Sequence, residues 1–228
     1  AHVIKTMQDT LPASIDPFAA HFATPPVLRA LVDKGALGQK SGAGFYRKDG
    51  KAIKVLDAAK GEYVESSGKA DDLVGRILKK KDPAERLKLL RESDHPQAKF
   101  LWAIFRDAFH YIAVHLEAIA DTARDVDFAL RWGFGWSTGP FEIWQAAGWK
   151  QVAGWVQADI DAGEALSNAP LPRWVSEGPV VTAGGAHTPQ GSWSPSKKKF
   201  VPRSTLPVYA KQIFRAPLLG EGAPSAAS

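Results

Sequence analysis

The chain's 228 residues include six histidines, His2, His21, His95, His110, His115 and His187, and no cysteine. The missing thiols exclude a disulfide framework, a thiolate metal site and a cysteine nucleophile. Zinc would have to rest on histidine and carboxylate alone, yet no H-E-x-x-H occurs, and His110 and His115 miss the i, i+4 ligand spacing. No metal site is therefore expected. No G-x-S-x-G is present, and Ser41-Gly42-Ala43-Gly44 has the wrong spacing for a nucleophile elbow. A nucleotide phosphate finds neither G-x-G-x-x-G nor G-x-x-x-x-G-K-[ST]. Gly133-Phe134-Gly135 comes after a helical pattern instead of a strand and reads as a helix-to-helix corner. Asp121, Asp125 and Asp127 cluster at a helix junction, where capping and surface charge account for them as well as acid–base work does.

The elements around these residues are mainly helical. Residues 1–9 read as the end of a helix, and Pro26 to Lys34 as a short helix closed by Gly35. Asp49-Gly50 lies between two β-prone runs, a hairpin signal. Asp71–Lys81 and Pro83–Arg91 read as two helices parted by Asp82-Pro83. From Pro96 to Asp121, Ala98, Leu101, Phe105, Ala108, Ile112, Leu116 and Ile119 recur at steps of three and four, which only a helix aligns. Ser93 and Asp94 are its candidate N-caps. Asp125–Trp132, a helix from Gly139-Pro140, and Trp149–Glu164 follow. Beyond Asn168 proline and glycine become frequent, with Val180-Val181-Thr182 and Phe200-Val201 as expected strands of a small ribbon. The tail from Gly220 to Ser228 reads as a disordered linker.

Composition agrees with a globular protein, at 45% hydrophobic and 23% charged residues. The longest apolar stretch, Phe100 to Leu116, is interrupted by Arg106 and Asp107, so no membrane span is expected. The first residues lack the order of a signal peptide, and cytoplasmic localisation is the corresponding expectation. The missing initiator and the abrupt helical opening are those of a piece cut from a longer chain. A net charge of +5 permits attraction to a polyanion. Lys79–Lys81 and Lys197–Lys199, the compact basic runs, have no interleaved aromatic ladder, and a solvated surface is the better reading. No nucleic-acid partner is expected.

Two segments carry a resemblance. Gly35-Ala36-Leu37-Gly38-Gln39-Lys40-Ser41-Gly42-Ala43-Gly44-Phe45-Tyr46 resembles the L-G-x-K-[ST]-G-x-G-F-Y signature that ends the helical domain of 3-hydroxyacyl-CoA dehydrogenases. Arg131-Trp132-Gly133-Phe134-Gly135-Trp136-Ser137-Thr138-Gly139-Pro140-Phe141-Glu142 resembles that family's G-x-G-x-x-x-G-P-F turn before a helix. Physically, Gly42 and Gly44 allow backbone angles or a close approach that a Cβ would forbid, and Gly139 would occupy a sparsely allowed conformation. Trp132, Phe134, Trp136, Phe141 and Trp144 would fill the second corner.

Within one family repeat the G-P-F turn precedes the L-G-x-K segment, whereas here the order is reversed. The resemblance therefore implies a mainly α fold of C-terminal-type helical repeats, one partial and one nearly complete, with short β-hairpins. Residues 1–56 would be the tail of the first repeat with its hairpin and 57–93 a helical connector. Residues 94–168 would form the second repeat, 169–219 a Pro/Gly-rich segment with a small β ribbon, and 220–228 a linker. Such tandem repeats are typical of multifunctional fatty-acid oxidation proteins that join dehydrogenase and enoyl-CoA hydratase modules.

The implied parent is an oxidoreductase of β-oxidation that uses NAD on an N-terminal Rossmann domain and takes acyl-CoA substrates. This chain would be its helical part, inactive alone, with the Rossmann domain and a hydratase domain of the same polypeptide as partners. No catalytic or cofactor-binding residue is expected within it. His21-Phe22-Ala23-Thr24-Pro25 resembles the family's H-F-x-x-P catalytic motif but lacks its strand and a following glutamate, and Asn168 cannot match the family's helix-borne asparagine. Lys40, between a helix end and a glycine turn, is the one candidate substrate contact, through the phosphates of CoA; a helix-terminal surface lysine is the plainer reading. The alternative function is a non-enzymatic helical module that holds a partner protein with exposed aromatics.

Overall fold

Proline at the first turn and glycine just past the last recur through this chain, and they set where its helices begin and end. A computed structural model describes residues 2–66, 68–207 and 217–221. It divides the chain into two units, Ala1–Ala70 and Asp71–Ser228. The described residues are mainly helical, with two small three-stranded antiparallel sheets.

In the first unit, α1 (His2–Thr10) buries no residue, and α2 (Pro26–Asp33) buries Leu31. Gly35, with φ +68°, ends α2, and a 3-10 turn over Gln39–Ser41 follows. The two signature glycines have different reasons. Gly42 sits at φ +85°, whereas a Cβ on Gly44 would stand 2.9 Å from the Gly38 Cα. The chain then enters β1 (Tyr46–Asp49) and β2 (Ala52–Asp57), turning at Gly50 with φ +58° between Asp49 and its pair Ala52. A third strand, β3 (Glu62–Glu65), pairs with β2, and the Tyr63 hydroxyl donates to the Gly44 carbonyl at 2.6 Å. The stretch expected to be a helical connector thus opens with a strand. Its Tyr63-Val64 core between glutamates is too short for a periodicity signal, and the sheet edge supplied by β2 decides it.

The second unit begins with α3 (Asp72–Leu78) and α4 (Pro83–Glu92), capped by the side chains of Asp71 and Asp82. Next comes α5 (Pro96–Ile119). Its N-cap is His95, whose Nδ1 accepts from the Gln97 amide, not Ser93 or Asp94. The stripe expected along α5 is only part of its buried surface. Trp102, Arg106, Phe109, His110 and Ala113 are buried too, while Ile119 is 53% exposed, so the helix is packed on more than one side in its middle. The helices α6 (Ala123–Phe134), α7 (Pro140–Ala146) and α8 (Trp149–Asp161) complete the bundle. Gly133 lies within α6, and the terminator is Gly135 at φ +71°.

Aromatic rings fill the centre. Trp144 stacks on Trp149 at 4.6 Å between centroids and meets Phe109 at 5.2 Å. Both indole N–H groups are satisfied, by the carbonyls of Trp149 and Val175 respectively. The carboxylate of Asp159 on α8 accepts from the Trp102 indole at 2.7 Å and from Arg91 at 3.1 Å, so one buried charge ties α4, α5 and α8 together. Arg106 holds Asp107 through two bonds, and Asp107 accepts from the Leu166 amide.

After α9 (Arg173–Ser176), Val180-Val181-Thr182 is not a strand but the body of α10 (Pro179–Ala183). Pro179 starts that helix and Gly184, at φ +77°, caps it, and these ends override the β preference of the valines. The ribbon is β4 (His187–Thr188), β5 (Gly191–Ser194) and β6 (Lys199–Val201), in that order, with β5 wholly buried. Among the described residues no helix is long and apolar enough to cross a membrane.

Candidate functional site

The Gly-Pro-Phe corner between α6 and α7 is held by buried hydrogen bonds from Asp127 and Glu142. Gly139 has ordinary extended angles, φ −72° and ψ 163°, so the expected special conformation is not what selects glycine there. Space selects it: a Cβ would overlap the side chain of Asp127 and lie 2.7 Å from its Cα. Pro140 opens α7, and the Gly139 amide donates to the Glu142 carboxylate at 2.6 Å. Of the five aromatics expected in the corner, Phe141 and Trp144 are buried, whereas Trp132 is 56% and Phe134 77% exposed. Trp132 stacks instead on Phe128 at 4.5 Å.

Asp127, fully buried on α6, organises the site. It accepts from the Phe141 amide at 2.9 Å and the Glu142 amide at 3.0 Å, capping α7 from another helix. Its Oδ2 also lies 2.8 Å from His187 Nε2, and His187 Nδ1 lies 2.9 Å from Ser192 Oγ. Ser192 Oγ accepts from the Arg124 amide at 2.9 Å, and its hydroxyl proton is free to point at Nδ1. In the tautomer these partners favour, Nε2 carries the imidazole proton and donates to the carboxylate. Burial pushes the Asp127 carboxyl above its usual range, against the hydrogen bond and charge of His187 and the bond from Phe141.

A serine, a histidine and an aspartate in one chain of bonds have the composition of a hydrolase triad. All three are buried, so no substrate reaches the serine, and its oxygen is already engaged by a backbone amide. The chemistry open to this arrangement is a lock: a polar tie between the α6–α7 corner and the ribbon.

A strap completes it. Gln145 grips the His187 backbone through its amide and carbonyl, both at 2.9 Å. Leu218 is buried, and the Leu219 amide donates to Glu142 Oε1 at 2.8 Å. Glu221 is held by Arg124 and, at 2.6 Å, by Arg203. Gly220 fits only as glycine, since a Cβ would overlap Gln145 Nε2 and stand 2.7 Å from the His187 carbonyl. The expected disordered linker is therefore corrected at its start: residues 217–221 are docked, and residues 222–228 lie outside the described residues.

Burial by itself would raise the Glu221 carboxyl, but the hydrogen bonds and charges of Arg124 and Arg203 outweigh it and hold it below its usual range. Its stabilising contribution is thus present above the ordinary carboxylate pKa and is lost as pH falls through the lower folded value. Replacing Glu221 by Gln should cost about 3 kcal/mol at neutral pH, because the buried Arg124 and the half-buried Arg203 guanidinium groups lose their counter-charge. Melting curves between neutral and acid pH should show wild type and Glu221→Gln converging as pH falls; a constant gap would contradict this assignment.

The other sequence candidates fall elsewhere. Lys40 is exposed on the 3-10 turn of the first unit. His21 is exposed in the 3-10 turn Ala19–Phe22, and Asn168 is exposed after α8. Asp125 caps α6 through Thr122, and Asp121 is exposed. No group of three or more potential metal ligands occurs among the described residues. Sequence reasoning did not single out Arg124, Gln145, His187, Ser192 or Glu221. Only Glu142, three residues after Gly139 as in a capping box, carried a local signal.

Compared with known proteins, the chain is 35% identical over 153 residues to a probable 3-hydroxyacyl-CoA dehydrogenase of Bacillus subtilis (strain 168), covering 62% of this chain and 19% of that protein. It is 27% identical over 180 residues to a putative fatty acid oxidation complex trifunctional enzyme of Rickettsia felis, covering 76% of this chain and 23% of the relative. A protein of the same description from Rickettsia prowazekii matches at 24% over 178 residues. The chain spans about a fifth of the length of these curated relatives. No family model matches it, and no solved structure does. Relatives with these names bear out the family resemblance of the two signatures.

Proposed function

We propose that this chain is a helical part of an NAD-dependent 3-hydroxyacyl-CoA dehydrogenase of fatty-acid β-oxidation, supporting the acyl-CoA site and the domain interface without carrying catalytic groups. The observation that carries the reading is the Gly139-Pro140-Phe141 corner: Gly139, Pro140, Phe141 and Glu142 are all engaged in packing or capping, as a supporting element requires. The parent would oxidise a 3-hydroxyacyl-CoA to the 3-ketoacyl-CoA, its hydride passing to NAD⁺ and its hydroxyl proton to a base outside these residues. A Rossmann domain and an enoyl-CoA hydratase domain of the same polypeptide are its partners in this reading, and the cytoplasm is its compartment.

The described residues do not fit NAD. Both sheets are antiparallel ribbons, whereas a dinucleotide needs a parallel strand feeding a glycine-rich turn and a helix N-terminus. Calorimetric titration of the chain with NADH should therefore give no binding heat. A micromolar dissociation constant would overturn the reading.

Lys40 offers a finer test of the acyl-CoA contact. In the parent, Lys40→Met should raise KM for acyl-CoA by about threefold or more with kcat nearly unchanged, as loss of uniform binding does. Unaltered kinetics would leave Lys40 as a surface lysine. The exposed Trp132 and Phe134 favour a second reading, a protein-interaction module. It predicts an inactive parent whose partner binding is lost on Trp132→Ala.

A further inference from the structure

The strap of residues 217–221 closes a loop whose two ends are tied along α6. At the start of the loop, Arg203 Nε donates to Glu221 at 2.6 Å, and Glu221 is also held by Arg124 in the first turn of α6. At its close, the Leu219 amide donates to Glu142, whose other oxygen stands 3.5 Å from Arg131. The chain therefore leaves at the Arg124 end of the helix and rejoins it about two turns further on, beside Arg131. The rise between those two positions is about 10 Å. Residues 204–217 would span roughly 45 Å if extended, so the loop holds several times the chain it needs.

Between those two ties α6 presents an aromatic stripe. Arg124, Phe128 and Trp132 follow one another at steps of four and share one face. Phe128 is buried against Trp132, their ring planes 8° apart, while Trp132 itself is 56% exposed. The sequence of the loop complements that face. Tyr209, Ala210, Ile213 and Phe214 have the i, i+1, i+4, i+5 spacing of a helix's apolar side, between Pro207 as a helix start and Pro217 as a stop. Lys211, Gln212 and Arg215 fall on the opposite side. A helix over residues 208–216 would be about 13 Å long, and the stripe from Arg124 to Trp132 covers about 12 Å.

We propose that residues 208–216 seat on this stripe as an amphipathic helix, with Tyr209, Ile213 and Phe214 against Phe128 and Trp132. Charge fixes which side faces inward. Turned the other way, Lys211 and Arg215 would meet Arg124 and Arg131, whose carboxylates Glu221 and Glu142 are already engaged. The tether fixes the occupant. With both ends of the loop tied to α6, the segment's effective concentration at the stripe far exceeds that of a partner protein or a second copy in solution. Trp132 is then the seat of the chain's own segment and not a surface held out to another protein.

Hydrogen exchange and trypsin cleavage of the 228-residue chain test this. Amides of residues 209–216 should exchange about tenfold or more slower than those of an unstructured chain. Trypsin cuts after Lys211 and Arg215, and both cuts should be about tenfold faster in Trp132→Ala and in Phe214→Ser than in wild type. Phe214→Ser leaves every residue of α6 in place, so it decides the matter even if Trp132→Ala melts early. Exchange over 209–216 at unstructured rates, or Phe214→Ser cut no faster than wild type, would overturn the proposal. So would protection that is lost on dilution, which would give the stripe to a second copy, or protection that arises only when a partner protein is added.

Discussion

Gly139→Val should be among the most damaging single substitutions in the chain, costing more than about 3 kcal/mol and leaving little folded protein. The backbone at Gly139 is conventional, so the cost does not come from dihedral strain. It comes from volume. The new Cβ would fall inside the side chain of Asp127, and that side chain cannot yield because it caps Phe141 and Glu142 and holds His187. Gly139→Ala should already be severe, which separates this account from a β-branched effect. Circular dichroism melts of both variants check it, and a Gly139→Ala protein that melts like wild type would show that the corner has slack.

Asp127→Ala should cost about 3–5 kcal/mol, the penalty of breaking a buried pair and leaving its partners unsatisfied. Two α7 amides and His187 Nε2 would lose their acceptor together. The double variant Asp127→Ala/His187→Phe should recover part of that loss by removing the stranded imidazole, and a double-mutant cycle measures the coupling. If the losses at Asp127 and His187 simply add, the pair is not a unit and the lock is misassigned.

These residues also show how far the sequence could be read. Helices with a proline start, a glycine stop and a regular apolar stripe were legible, because those signals are local: α2, α4, α5 and α7 lie close to where spacing places them. The two signatures marked both glycine turns. What was not legible depends on distant partners. Val180–Thr182 carries β-prone residues yet forms a helix, because Pro179 and Gly184 fix its ends. His187 sits far from Asp127 in sequence and meets it, with Ser192 behind its other ring nitrogen, only after the ribbon folds onto the corner. Glu221 stands in a Gly/Ala/Ser/Pro tail that gives no hint of its two arginine partners. Gly139 was legible as important but not for its reason, since the clash involves a side chain of the preceding helix.

The most direct test of the functional account is a dehydrogenase assay, following NADH formed from a 3-hydroxyacyl-CoA, on three samples: the full-length polypeptide, the same polypeptide lacking residues 1–228, and the 228-residue chain. The account predicts turnover by the full-length protein, a large loss on deletion and none in the chain alone. Full activity after deletion, or NAD⁺ reduction by the 228-residue chain itself, would contradict it.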